Sequence, residues 1–143
     1  MKAITIKQPF ASLIAAGIKE YEFRTWKTNY RGEILIHAGM GKDKDAMQKF
    51  ASGLDCPGGC IVARAYLSDC IRVDDAFRAI LREKNPELYG WFIRHSDWEG
   101  YAFQLERMEK ISPIPCKGRL SIWEYTPDAE MIFDWSRCYG NNL

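Results

Sequence analysis

Between Glu20 and Trp26 two kinds of side chain take turns. Glu20, Glu22, Arg24 and Trp26 fall on one side, and Tyr21, Phe23 and Thr25 on the other. A strand points successive side chains to opposite faces, so the pattern predicts a strand over 20–26 with Tyr21 and Phe23 in a core. Glu22 and Arg24 then share the other face as a charged ledge. Just upstream, Phe10, Leu13, Ile14 and Gly17 follow the i, i+3, i+4, i+7 rule of a helix that packs one face inward. Pro9 suits its first turn and Gly17 its stop. Lys19 falls between that stop and the strand. A ledge bearing Lys19, Glu22 and Arg24 suits an anion, a polar base edge or a small substrate.

The rest of the chain continues the alternation of strand and helix. Residues 2–6 read as a strand and 33–38 as another that ends in His37, with a turn from Asn29 to Gly32 between the charged strand and this one. Asp43 is placed to cap a helix over 43–52 whose inner stripe is Met47, Phe50, Ala51 and Leu54. Pro57-Gly58-Gly59 breaks it. A strand over 60–68 and a helix over 74–84 follow, the latter ended by Asn85-Pro86. Residues 87–100 read as an irregular aromatic segment. Residues 101–109 alternate as a strand, Pro113 and Pro115 mark an edge or bend, and 119–125 is the last strand. Six strands with three short helices predict an α+β, mainly β fold: a small, partly open barrel with helices on its flank. Residues 1–125 form this domain, and the acidic, aromatic tail 126–143 is expected to dock on it.

With 143 residues, 47% of them hydrophobic, the chain suits one globular domain. It holds no apolar run of about 18 residues, so no membrane span is expected. Five cysteines, an odd number without a regular framework, suit reduced thiols and a cytoplasmic location. Cys56 and Cys60 have half the spacing of a metal site, but no second pair follows, and His37 and His95 are the only histidines. The simpler reading is a turn flanked by small buried thiols, so neither a metal nor a cofactor is expected. Net charge is +1 overall, yet residues 1–44 carry +4 and residues 45–143 carry −3. A locally basic N-terminal third permits contact with an anionic polymer; solvated surface charge gives the same split.

Lys7-Gln8-Pro9-Phe10 before a helix, followed by Gly17-x-Lys19-x-x-Glu22-x-Arg24, resembles the ASCH domain family within the PUA-like superfamily. Residues 26–32, 34–38 and 117–123 are similar to its prokaryotic and phage branch, so the resemblance covers roughly 3–125. It implies a PUA-like β-barrel with a cleft between the first helix and the barrel, and a role in RNA binding. Some relatives are hydrolases, one type deacylating N4-acetylcytidine and another linked to RNA cleavage. The deacylating type has a threonine at the place of Glu22, and that departure removes its proposed nucleophile.

Each site residue carries two readings. Lys19 pairs a phosphate, acts as a base if desolvation lowers its pKa, or is a solvated lysine favoured by the helix dipole. Glu22 and Arg24 form an ordering ion pair, or read a base amino group and a phosphate. Lys7 and Gln8 stand where a strand enters a helix and suit an anion there, while Gln8 also reads as a plain N-cap. Trp26 and Tyr30 stack on a base or belong to the core, and Arg31 contacts phosphate or occupies a turn. His37 reads as a structural hydrogen-bond partner. Ser121 has no triad spacing around it.

The expected function is therefore RNA or nucleotide binding, with single-stranded DNA a further ligand, through Lys7, Gln8, Lys19, Glu22, Arg24, Trp26, Tyr30 and Arg31. The alternative is a small hydrolase of a modified nucleoside or of RNA, with Lys19 and Glu22 catalytic. A third reading is an interaction domain that uses its aromatic tail, Trp91, Phe92 and Trp98.

Overall fold

A computed structural model describes residues 1–94 and 98–127. The strands are β1 (Lys2–Gln8), β2 (Tyr21–Arg24), β3 (Gly32–Lys42), β4 (Cys60–Arg72), β5 (Tyr101–Pro115) and β6 (Ile122–Glu124). The helices are α1 (Phe10–Ala15), α2 (Lys44–Phe50), α3 (Asp75–Lys84) and α4 (Pro86–Phe92). The tail expected to dock lies, from residue 128 on, outside the described residues, as do His95 and Cys138.

Local chemistry explains the ends of these elements. Gly17 takes φ +76° just past α1, a left-handed conformation that costs glycine little, and its amide bonds the Ile14 carbonyl. Asp43 caps α2 by accepting from the Ala46 amide at 3.0 Å, and Asp74 caps α3 from the Phe77 amide at 2.8 Å. Asn85 ends α3 and also caps α4, accepting from the Leu88 amide at 3.2 Å, with Pro86 in the first turn. The segment read as irregular from residue 87 thus opens with a helix, because Asn-Pro serves as a start as well as a stop.

All six strands form one sheet in the order β2-β5-β4-β3-β1-β6. β1 runs parallel to β3, with Thr5 opposite His37, and the other pairs are antiparallel. The β4–β5 register shifts at three places, between Ile61 and Ala63, Arg64 and Tyr66, and Leu67 and Asp69. Such bulges bend and twist a strand pair. The curl brings the sheet's far edge back to its beginning: Arg24 on β2 donates from Nη2 to the Thr5 carbonyl on β1 at 2.7 Å. In strand order β5, β4 and β3 stand between those two strands. β6 pairs only with Lys2, Ala3 and Ile4, so the β1 edge from Thr5 on is open to that contact. The outcome is the partly open barrel expected from the sequence, with a fourth helix added.

Alternation along β1 and β3 separates two apolar clusters. Ile4, Ile6, Ile34, Ile36 and Ala38 join α1 in the main core, while Ala3 and Leu35 meet Ile61, Ile111, Ile114, Trp123 and Tyr125 on the other face. Tyr21 and Phe23 pack beneath α3 and α4: Tyr21 lies 5.4 Å from Phe77 and 5.6 Å from Tyr89 between ring centroids, and Phe23 lies 4.8 Å from Phe92.

Candidate functional site

The turn after α1 swings the chain inward. The amides of Ile18 and Lys19 both bond the Leu13 carbonyl, and the Lys19 side chain is fully buried, with 0% exposure. Its Nζ donates to the Tyr21 carbonyl and, at 2.8 Å, to Glu22 Oε1. The rings of Phe92, Phe23 and Phe10 surround it at 4.8, 5.4 and 5.9 Å, close enough for cation–π attraction. Glu22 is itself only 6% exposed. Its second oxygen, Oε2, accepts from Arg24 Nη2 at 3.0 Å and Nε at 3.2 Å. The three charges form one string that begins in the core and ends at Arg24, whose side chain is 23% exposed.

A lone buried charge is costly, and this string meets the cost by pairing and hydrogen bonding. Burial alone would push the Glu22 carboxyl up; Lys19 and Arg24 outweigh it and hold the group below its ordinary value. Burial pulls the Lys19 ammonium down, against the opposing pull of Glu22. Both Glu22 oxygens are committed, so the carboxylate turns inward to its neighbours. Arg24 differs: Nε and Nη2 are fixed, and Nη1 has no hydrogen-bond partner among the described residues.

Thr5 lies at the centre of the surroundings of Arg24. Its Oγ1 accepts from Trp123 Nε1 at 3.0 Å. His37, the β3 partner of Thr5, is buried and donates from Nε2 to the Cys116 carbonyl at 2.7 Å, while its Nδ1 is unpartnered. Gly118 lies over both: a Cβ there would sit 2.5 Å from Thr5 Oγ1 and 2.8 Å from His37 Nδ1. The segments that build this floor carry three exposed cations. Lys7 is two residues beyond Thr5 on the same face of β1, and Lys117 and Arg119 flank Gly118.

The remaining expected residues are dispersed. Gln8 is fully buried under α1, where Oε1 accepts from the Ser12 amide and Nε2 donates to Ser12 Oγ and the Pro57 carbonyl. Trp26 rests edge-on against Phe103 at 5.1 Å, the residue opposite Glu22 in the β2–β5 ladder. Tyr30 donates to the Glu33 carbonyl at 2.6 Å and lines a recess of about 160 Å³ with Lys2, Glu33 and Arg64. Arg31 bonds the Thr28 and Tyr30 carbonyls. Lys19, Glu22 and Arg24 are thus joined, Lys7 is exposed on β1, and Tyr30 and Arg31 belong to the β2–β3 connection. Thr5, Lys117 and Arg119 were not among the expected site residues; a glycine between two cations just before the last strand was the signal available.

A cavity of about 540 Å³ lies between α1 and β5, lined by Ser12, Ala15, Asp55, Pro57, Lys110 and Ile111 among others, and it includes no member of the charged string. A second, of about 370 Å³, opens beside Arg64, Tyr66 and Arg107. Among the described residues no group of three or more His, Cys, Asp or Glu could hold a metal ion, and no helix is long and apolar enough to cross a membrane.

A family model described as "ASCH domain" matches residues 4–115. The chain is 27% identical over 134 residues to Activating signal cointegrator 1 of Homo sapiens, and 27% identical over 135 residues to the Mus musculus protein. Each match covers 85% of this chain but 22% of the relative, so the chain spans about a fifth of the length of these curated relatives. Among solved structures, ASCH from Zymomonas mobilis superposes with a TM-score of 0.63 at 16% identity, covering 94% of both chains. A tyrosine-to-phenylalanine mutant of that protein gives 0.61 at 17% identity, covering 94% of this chain and 96% of the other. At such identities the likeness shows the fold alone.

Proposed function

This chain belongs to the ASCH domain family, and we propose that it binds single-stranded RNA or a nucleotide through the phosphate, at the mouth centred on Arg24. The observation that carries this reading is the state of the Arg24 guanidinium. Glu22 holds Nε and Nη2, the Thr5 carbonyl takes the second hydrogen of Nη2, and Nη1 has no partner among the described residues. A guanidinium fixed beforehand loses little entropy when it meets a phosphate oxygen. Lys7 on β1, and Lys117 and Arg119 beside Gly118, are exposed cations on the segments that adjoin Thr5. Glu22, the acid of the string, has its charge countered by Lys19 on one oxygen and Arg24 on the other. An unpaired strand suits a mouth of this kind, because its phosphates and base edges are accessible.

The same geometry supports binding over hydrolysis. Lys19 is sealed among three phenylalanine rings and committed to two acceptors, so it is poorly placed to take a proton from a substrate. The test is fluorescence anisotropy with labelled single-stranded RNA and DNA pools at several salt concentrations. Binding should weaken as salt rises, and Arg24→Ala should weaken it about tenfold. Because Arg24 also ties β2 to β1, the exposed variants Lys7→Ala and Arg119→Ala are measured beside it. Absence of salt-dependent retention in either pool would overturn the reading.

A further inference from the structure

We propose that Lys19 is a positioning residue: acting through Glu22, it holds the Arg24 guanidinium in place and never touches the ligand. The proposal rests on the reading of Arg24 given above. Its basis is the connectivity of the string. Lys19 reaches Glu22 Oε1, and Arg24 reaches Glu22 Oε2, so the two cations are joined only through one carboxylate. Lys19 has no exposed surface, and the rings of Phe10, Phe23 and Phe92 close over Nζ. Methionine would fill similar space without a charge to desolvate, and buried ion pairs exchanged for apolar groups often leave a fold as stable as before. Stability therefore gives little reason for a lysine here, whereas keeping Glu22 ionised does.

Among the described residues, the groups that face Glu22 are few. From the α1–β2 connection comes Lys19, and from β2 itself Arg24. β5 presents Phe103 opposite it, and α1 and α4 contribute the phenylalanine rings that enclose Lys19. β1 contributes the Thr5 carbonyl, held at second hand through Arg24. With Lys19 removed, Arg24 is the one cation left among the described residues against the burial of the carboxyl. Glu22 then takes up a proton at a higher pH, its bonds to Nε and Nη2 lose their charge assistance, and the guanidinium swings free.

The experiment has one arm without ligand and one with it. In the first, the ¹⁵N-labelled Arg24 Nε–H signal is followed by NMR from pH 8 to pH 4 and assigned with Arg24→Lys. The wild type should keep a protected signal over most of this range, and Lys19→Met should lose it at a distinctly higher pH. Lys19→Gln stands in if Lys19→Met does not fold. Lys19→Met/Glu22→Gln, a neutral pair of matching shape, should show no such transition. In the second, a labelled single-stranded RNA 20-mer is titrated at each pH. Lys19→Met should approach wild-type affinity at pH 8 and fall on the order of tenfold below it in acid, as expected for the loss of a charged contact. An Arg24 signal in Lys19→Met with the wild-type pH profile would overturn the proposal. So would a loss of RNA affinity of equal size at every pH, which is what direct contact by Lys19 gives. Should no protein bind RNA, the functional reading fails, and the NMR arm still decides the role of Lys19.

Discussion

Replacing Glu22 by leucine removes one carboxylate and leaves Lys19 in the core without a counter-ion. Breaking a buried pair on one side costs about 3–5 kcal/mol, far more than the net value of the pair. Glu22→Leu should therefore unfold at markedly lower urea than wild type, and Lys19→Met/Glu22→Leu should recover most of the loss. Chemical denaturation of the four proteins in that cycle decides it. The pH dependence follows from the same residue. The Glu22 carboxyl is held below its ordinary value of 4.5, so between the two values the unfolded chain binds more protons than the folded one, and stability rises with pH. Its contribution is complete above about pH 4.5 and is lost as pH falls through the folded value; Glu22→Gln should flatten that part of the acid limb. The motif Lys19, Glu22, Arg24 is plain in the sequence, but its burial is not. Alternation puts Glu22 on a polar face, and nothing in the neighbouring residues says that β1 will return to cover that face.

Elements were most legible where one residue type carries a local instruction. Asp43 announced its helix, and Gly17 the stop of α1. α4 was not legible because Asn85-Pro86 is an end for the preceding helix and a cap for the following one, and the sequence does not say that both roles are filled at once. β5 runs on to Pro115, past the strand expected over 101–109. The Cys116 amide bonds the Gly59 carbonyl toward β4, so by alternation the nitrogens of Pro113 and Pro115 face the other edge. β2 covers that edge only at Tyr101–Gln104. The missing N–H groups therefore cost no ladder bond. The segment before β6 has a tighter requirement. Gly118 is packed against Thr5 and His37 with no room for a Cβ, and neither neighbour can retreat, since Thr5 is held by Trp123 and His37 by the Cys116 carbonyl. Gly118→Ala should cost about 1–3 kcal/mol, the usual range for overpacking. It should also displace Lys117 and Arg119, so a lower Tm would come with weaker RNA binding. An unchanged Tm would show that the segment is free to lift.

At the scale of the whole molecule, six strands and flanking helices could be counted from pattern, whereas their order could not. The parallel placement of β1 beside β3, and the arrival of β6 on the other edge of β1, depend on pairings between distant segments. Those pairings bring Arg24 to Thr5, because they leave the β1 edge open from Thr5 onward and let β2 curl back to it. The charge map is similar. A net charge of +1 predicts little attraction to a polyanion, yet the segments that meet at Thr5 come from the two ends of the chain and carry the exposed cations Lys7, Lys117 and Arg119. Affinity for single-stranded nucleic acid should then depend on these few contacts. Each phosphate neutralised contributes about −0.7 to the slope of log K against log salt on a single strand, so four contacts give a slope near −3. Lys7→Ala and Arg119→Ala should each bring it closer to zero by about 0.7 and leave the Tm unchanged, since both side chains are exposed. Arg31 serves as the control. It is exposed but bonded within the β2–β3 connection, and Arg31→Ala should leave the slope as it was. A slope that responds to Arg31 and not to Lys7 or Arg119 would move the polyanion from the Arg24 mouth to the recess beside Tyr30.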